Sequence, residues 1–229
     1  MKILSLIFFA LPLFSQGLFR TGNRTITYVQ GAYATPQSSP TSVSATFTSA
    51  QIAGDLNVVA VGWNNSTATV STVADTIGNT YTLAVGPTVI SGTASQSIYY
   101  AKNIAAAAAG ANSATVTFSA AAAYPDIRVL EYRGANPNNP VDVTAASSGS
   151  STASSSGSAT TTHAPDLIFG ATLVQTQTTG PGSGFTSRIL TTPDGDIAED
   201  QMVTSIGSYS ATAPVSPSGP WIMQMVAFW

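Results

Sequence analysis

Apolar and polar residues alternate with a period of two along most of the chain. Val43, Ala45 and Phe47 alternate with serine and threonine, and Val116 and Phe118 repeat the pattern. A period of two is typical of a β-strand with one face buried and one face in water. No stretch shows the 3.6-residue period of an amphipathic helix, so the pattern predicts an all-β protein.

Three longer segments are apolar on both faces: residues 56–63, 167–174 and 222–229. Such segments are typical of central strands that are covered on both sides. Turn sequences such as Gly78-Asn79 and Asp194-Gly195 separate the predicted strands. The alanine-rich segments are too short to nucleate a helix, and we expect loops or single turns there.

The two halves of the chain, about 24–140 and 141–229, share an order of features. Asp55-Leu56 corresponds to Asp166-Leu167, and Tyr81-Thr82-Leu83 to Phe185-Thr186-Ser187. The offset stays at about 95 to 110 residues, which indicates a repeated strand plan. Either each half closes into its own small sandwich, or the halves interleave in one jelly roll. The apolar last strand favours one shared core. We therefore predict a single large antiparallel, jelly-roll-like β-sandwich over residues 18–229.

Several short motifs carry a family resemblance that spans most of residues 18–229. They are Ala53-Gly54-Asp55-Leu56, the segment 75–81, Tyr99-Tyr100-Ala101, the segment 130–134 and the segment 166–170. Together they resemble a module of uncharacterised bacterial secreted or surface proteins and phage-tail-like proteins. The resemblance implies a jelly-roll-like β-sandwich and no catalytic residues.

Residues 1–17 have the layout of a signal peptide. Lys2 precedes an apolar run from Ile3 to Phe14, and Ser15-Gln16-Gly17 places small residues at a cleavage site. The run is too short to span a bilayer, and no later segment is apolar enough to do so. We therefore expect export, to the medium or the cell surface.

The amino-acid composition argues against some classes of binding partner and some kinds of chemistry. Charged residues make up only 7% of the chain, so serine, threonine, asparagine and glutamine must keep the surface hydrated. The net charge is −3 and the basic residues are scattered, which argues against a nucleic-acid partner. The absence of cysteine excludes disulfides and thiolate chemistry.

Few residues could support catalysis. His163, the single histidine, has Asp166 nearby as a conceivable partner, but no nucleophile motif accompanies it. Glu131 and Glu199, the only glutamates, could form the carboxylate pair of a glycoside hydrolase. A cross-strand ion pair with Arg133 is the simpler role for Glu131. We predict no enzyme and no required cofactor.

Two other groups of residues could bind ligands. Asp194, Asp196, Glu199 and Asp200 form the densest acidic cluster and could coordinate Ca²⁺, although their spacing matches no EF-hand loop. Tyr99, Tyr124 and Trp221 could stack against sugar rings, and Tyr99 and Tyr100 should point to opposite faces of one strand.

Three hypotheses about function remain open. The chain could be a non-catalytic adhesion module that binds carbohydrate or another cell-surface component. It could be a self-associating structural subunit of the envelope or of a filament, in which residues 20–30 form a free arm. It could also be a hydrolase that uses Glu131 and Glu199.

Overall fold

Antiparallel β-strands account for all the regular structure that the computed structural model describes, which covers residues 25–229. The expected signal peptide lies outside these residues. The fifteen strands are β1 (Thr27–Ala34), β2 (Ser42–Thr46), β3 (Leu56–Trp63), β4 (Val70–Asp75), β5 (Thr82–Ile90), β6 (Ala94–Ala101), β7 (Ser113–Phe118), β8 (Asp126–Arg133), β9 (Val141–Ser155), β10 (Ala159–Thr160), β11 (Asp166–Val174), β12 (Thr186–Leu190), β13 (Ile197–Val203), β14 (Ser208–Tyr209) and β15 (Thr212–Phe228). The all-β prediction is confirmed, and both alanine-rich segments lie outside helices.

Each half of the chain forms its own five-stranded sheet. The first sheet has the order β1-β8-β3-β6-β5, and the second has the order β9-β15-β11-β13-β12. The pairing registers agree as well, because Leu56 lies opposite Tyr132 in the first sheet and Leu167 lies opposite Phe228 in the second. The predicted correspondence of the halves therefore extends to strand order and register.

The predicted single antiparallel sandwich with one shared core is confirmed, but the strands of the two halves do not interleave within a sheet. Within residues 25–229, neither five-stranded sheet contains strands from both halves, and β15 lies between β11 and β9 of its own half. Each half supplies enough strands for a complete sheet with one apolar inner face. Two such faces are buried most simply by packing against each other, as in a sandwich.

The shared core lies between the two five-stranded sheets. Its buried residues come from both halves, among them Val58, Leu130, Phe169 and Phe228. Strand β1 packs against β12, and β5 packs against β9. In the repeat, β1 corresponds to β9 and β5 corresponds to β12. The contact of β1 with β12 is therefore equivalent to the contact of β9 with β5, as expected when an approximate two-fold rotation relates the halves.

The outer faces of both sheets are also covered. A three-stranded sheet, β2-β7-β4, packs on the first sheet around Val59, Val61 and Trp63. On the outer face of the second sheet, Ile168 and Met225 pack with Ala211 and Val215 in a separate apolar cluster. This double coverage explains why β3, β11 and the second part of β15 are apolar on both faces, as the sequence pattern predicts.

Candidate functional site

A polar cleft opens where the two halves meet, next to the ends of β3 and β11. Its volume is about 260 Å³. The first half contributes Gln37, Asn64 and Tyr124, and the second half contributes the segment 173–177 together with Pro193, Asp194 and Asp196. We call this feature the junction cleft.

Amide side chains form much of the lining of the junction cleft. Asn64 directly follows β3 and Gln175 directly follows β11, so the repeat places both residues at the same end of the sheets. The Gln175 amide donates to Asn64 Oδ1 at 2.8 Å, and Gln37 donates to Asp194 Oδ1 at 2.8 Å. Gln177 donates to the Pro193 carbonyl at 2.9 Å. These bonds hold the amides in place and leave other donors and acceptors for a ligand.

Tyr124 is the aromatic residue of the junction cleft. Its side chain is exposed, with 49% of its surface accessible. Its φ of 44° lies in the left-handed region, which costs free energy in a residue with a Cβ atom. The Tyr124 amide donates to the Ser38 carbonyl at 2.8 Å and holds this conformation. An exposed ring on a fixed backbone is suited to stacking against a ligand.

Two carboxylates line the junction cleft. Asp196 is only 1% exposed, and its Oδ1 accepts a bond from the Val174 amide at 2.7 Å. Its Oδ2 has no partner, and Asp194 Oδ2 is also buried without one. Burial raises the pKa of Asp196 well above its usual range, and the charge of Asp126 adds to this shift while Arg128 opposes it.

A fully buried ion pair lies behind the cleft. Arg128 Nε and Asp126 Oδ2 are 2.7 Å apart. The Arg128 guanidinium also donates to the carbonyls of Thr172 and Ile197 at 2.7 Å each, so a side chain of the first half satisfies backbone groups of the second. Burial raises the pKa of Asp126 to about 6 despite the adjacent guanidinium.

The four acidic residues of the predicted calcium cluster do not share one site. Asp200 binds Arg188 and the Tyr132 hydroxyl inside the shared core. Glu199 is on the opposite face of β13, where it accepts the Gly182 amide at 2.8 Å. Within residues 25–229, no three histidine, aspartate or glutamate side chains are grouped so that they could hold a metal ion.

The two glutamates lie on the outer faces of the two five-stranded sheets, on opposite sides of the sandwich. Glu131 is on the outer face of the first sheet, where Gln30 donates to it at 2.6 Å. Glu199 is on the outer face of the second sheet. Packed sheets are about 10 Å apart, so the structure does not bring the two carboxylates together as a hydrolase pair. The ion pair predicted for Arg133 forms with Asp55, at 2.9 Å, and not with Glu131.

His163 binds an aspartate that the sequence argument did not consider. Its Nδ1 lies 3.0 Å from Asp142 Oδ1, and its ring stacks on Trp229 with 3.9 Å between the centroids. Asp166, the residue considered before, is buried next to Asp142, and burial together with that neighbour raises the pKa of Asp166 to about 7. The cluster ties the start of β9 to the C-terminal residue.

The three predicted ring-stacking residues are separated in the structure. Tyr99 packs against the core under the three-stranded sheet, while Tyr100 faces the shared core, as the alternation predicts. Trp221 is 8% exposed and donates to Ser151 Oγ. Among these residues Tyr124 alone lines the junction cleft. The sequence did not predict the four amide residues of the cleft, Gln37, Asn64, Gln175 and Gln177, although Asn64 and Gln175 are equivalent in the repeat.

Comparison of the chain with protein-family models, curated proteins and solved structures found no match. Among residues 25–229 there is no helix of the length and hydropathy that a bilayer span requires.

Proposed function

We propose that the chain is an exported, non-catalytic binding module that recognises carbohydrate through the junction cleft. The observation that carries this proposal is the combination of the exposed Tyr124 ring with four amide side chains in one concave site. Sugar rings offer C–H faces to an aromatic ring and hydroxyls to amides.

The electrostatics of the cleft also favour a binder. The carboxylates near it are engaged with backbone amides or with Gln37, and Glu131 and Glu199 are far apart. A general acid and a general base must both reach the reacting bond. Glu131 and Glu199 do not line the cleft, and the two carboxyl groups that do, Asp194 and Asp196, are each held by an amide donor.

A glycan array tests the proposal. The purified mature chain should bind a subset of neutral or basic glycans, and Tyr124→Ala and Gln175→Ala should each weaken binding about tenfold, as the loss of one stacking or hydrogen-bond contact would. Tyr33→Ala is the matched control, since Tyr33 is 43% exposed and does not line the cleft. Parallel arrays with Ca²⁺ and with a chelator test the calcium hypothesis.

Two results would count against this function. One is an array without any bound glycan, and the other is binding that Tyr124→Ala leaves unchanged. An empty array together with concentration-dependent assembly in light scattering would favour the self-associating subunit. For that alternative, residues 27–34 are not a free arm, because β1 pairs with β8.

Export has its own test. Expression of the full chain in a bacterial host should release a protein whose N-terminal sequence begins at Leu18. Retention in the cytosol with Met1 intact contradicts the proposed localisation.

A further inference from the structure

We propose that the junction cleft selects an amino sugar, with the sugar's ammonium group between Asp194 and Asp196. This inference rests on the proposed function and specifies its ligand class. The cleft is built from both halves of the chain, so the selectivity belongs to the assembled sandwich and not to one half.

The charge of the cleft favours a cation. Among the described residues, its lining includes two carboxyl side chains, Asp194 and Asp196, and no lysine, arginine or histidine. Arg128, the cation behind Asp196, is buried and already engaged by Asp126 and by the carbonyls of Thr172 and Ile197. A sugar carboxylate or sulfate would meet the negative charge of Asp194 without an available cation, whereas an ammonium would be attracted to that charge.

Two carboxyl oxygens at the cleft are without hydrogen-bond donors within residues 25–229. Asp196 is more than nine-tenths buried and lines the cleft, and its Oδ2 has no hydrogen-bond partner. Asp194 Oδ2 is also buried without a partner. Buried carboxylate oxygens without donors are costly. A ligand that brings N–H donors to both oxygens would remove that cost.

The number of acceptors at the cleft suits an ammonium group better than a metal ion. Calcium requires six to eight oxygen ligands, and no three acidic or histidine side chains in the described part of the chain converge on one point. An ammonium group carries three N–H donors and needs only three acceptors. Two carboxylate oxygens and one amide oxygen of the lining supply that number.

The remaining lining residues fit the rest of a sugar. The amides of Gln37, Asn64, Gln175 and Gln177 can bond to hydroxyls. The exposed Tyr124 ring can contact a pyranose face or the ammonium itself, since cations are attracted to the face of a phenol ring. Each part of the cleft therefore matches one part of an amino sugar.

Isothermal titration calorimetry with two matched oligosaccharides tests the inference. The ligands are tetramers of β-1,4-linked glucosamine and of its N-acetylated form, at about pH 5.5, where an amine of this kind is protonated. The wild type should bind the glucosamine tetramer about tenfold more tightly, the effect of one charge-assisted hydrogen bond. Raising the salt concentration should reduce the preference, because the added interaction is between charges.

Two variants distinguish the effect of a negative charge in the cleft from the effect of a negative charge elsewhere on the protein. Asp194→Asn keeps the Oδ1 acceptor for Gln37 and should bring the two affinities to within about twofold of each other, because the interaction between charges is lost. Asp55→Asn also removes one negative charge, but at the opposite end of β3, and should leave the preference intact. Tetralysine is the control for the source of the ammonium, and we expect it to bind much more weakly than the sugar.

The outcomes distinguish this inference from the proposed function. Equal or tighter binding of the acetylated tetramer by the wild type overturns the amino-sugar inference and leaves carbohydrate binding intact. Tetralysine that binds as tightly as the glucosamine tetramer also overturns it, since the cleft would then recognise any amine. If the array and both titrations show no saccharide binding, the proposed function itself fails.

Discussion

Gln175 donates a hydrogen bond to Asn64 across the junction of the two halves, with 2.8 Å between Nε2 and Oδ1. The two residues are equivalent in the repeat, because each directly follows the strand at the centre of its sheet. A contact between equivalent residues is expected at a two-fold axis. The junction cleft therefore lies where the approximate two-fold axis reaches the surface.

The buried ion pair near this axis should be essential for stability. Arg128→Met leaves the Asp126 carboxylate buried without its cation and also removes two bonds to carbonyls of the other half. We expect a loss of about 3–5 kcal/mol in the free energy of unfolding, measured by urea denaturation. Arg133→Met is the control on the same strand, since the Arg133 side chain is half exposed and water screens its pair with Asp55, so this variant should lose much less stability. Equal losses in the two variants would contradict this assignment.

Much of the fold could be predicted from local patterns. A period of two in the apolar residues indicates a strand with one buried face. The apolar segments 56–63 and 167–174 indicate strands that are buried on both faces. The repeat predicts equivalent pairs such as Thr82 and Thr186, which lie opposite Tyr100 and Asp200 in their own sheets. Which strands share a sheet could not be predicted, because both arrangements that were considered bury the same apolar residues.

The candidate site was harder to predict because its residues are brought together by long-range packing. Gln37 and Asp194 bind each other although they belong to different halves. Asp142, the partner of His163, lies on a strand that the sequence argument had not linked to it. Neither contact has a local signature. Tyr124 was found among the aromatics, since its position next to Pro125 marks a turn.

The shared core predicts that both halves unfold together. Phe169 of the second half packs edge-on against Tyr132 of the first, with 6.3 Å between the ring centroids. Phe169→Ala should lower the free energy of unfolding by about 3–5 kcal/mol. In a variant that keeps Trp63 as its only tryptophan, the fluorescence of the first half should shift to lower urea together with the circular dichroism signal of the whole chain. Two separate transitions would show that the halves are independent.

A glycine under Trp221 should be sensitive to the addition of one methyl group. A Cβ atom at Gly149 would lie 2.6 Å from the Trp221 ring, whereas one at Gly180 would meet no atom within 4 Å. Gly149→Ala should therefore cost about 1–3 kcal/mol through overpacking, and Gly180→Ala should change stability by less than about 0.5 kcal/mol. Thermal unfolding of both variants measures the difference. A stable Gly149→Ala variant with unchanged tryptophan fluorescence would contradict the packing of Trp221.

Buried acids should make the protein most stable at mildly acidic pH. Burial raises the pKa of Asp126 to about 6 and the pKa values of Asp166 and Glu199 to about 7, from ordinary values near 4. Between about pH 4 and 7 the folded chain then holds protons that the unfolded chain has lost, so the free energy of unfolding falls as the pH rises. Below about pH 4 the trend reverses for Asp142, because hydrogen bonds lower the pKa of this carboxyl to about 2.

Glu199 allows this pH dependence to be assigned to one residue. Its carboxyl is buried against the Gly182 amide, and Glu199→Gln keeps an oxygen acceptor there while removing the titration. At about pH 5 the wild-type carboxyl is protonated and the variant should have a similar stability, whereas by about pH 8 the variant should have gained about 2 kcal/mol relative to the wild type. Urea midpoints measured from about pH 4 to 8 give both curves. Parallel curves for wild type and variant would mean that Glu199 titrates normally and that its burial does not contribute to the fall in stability.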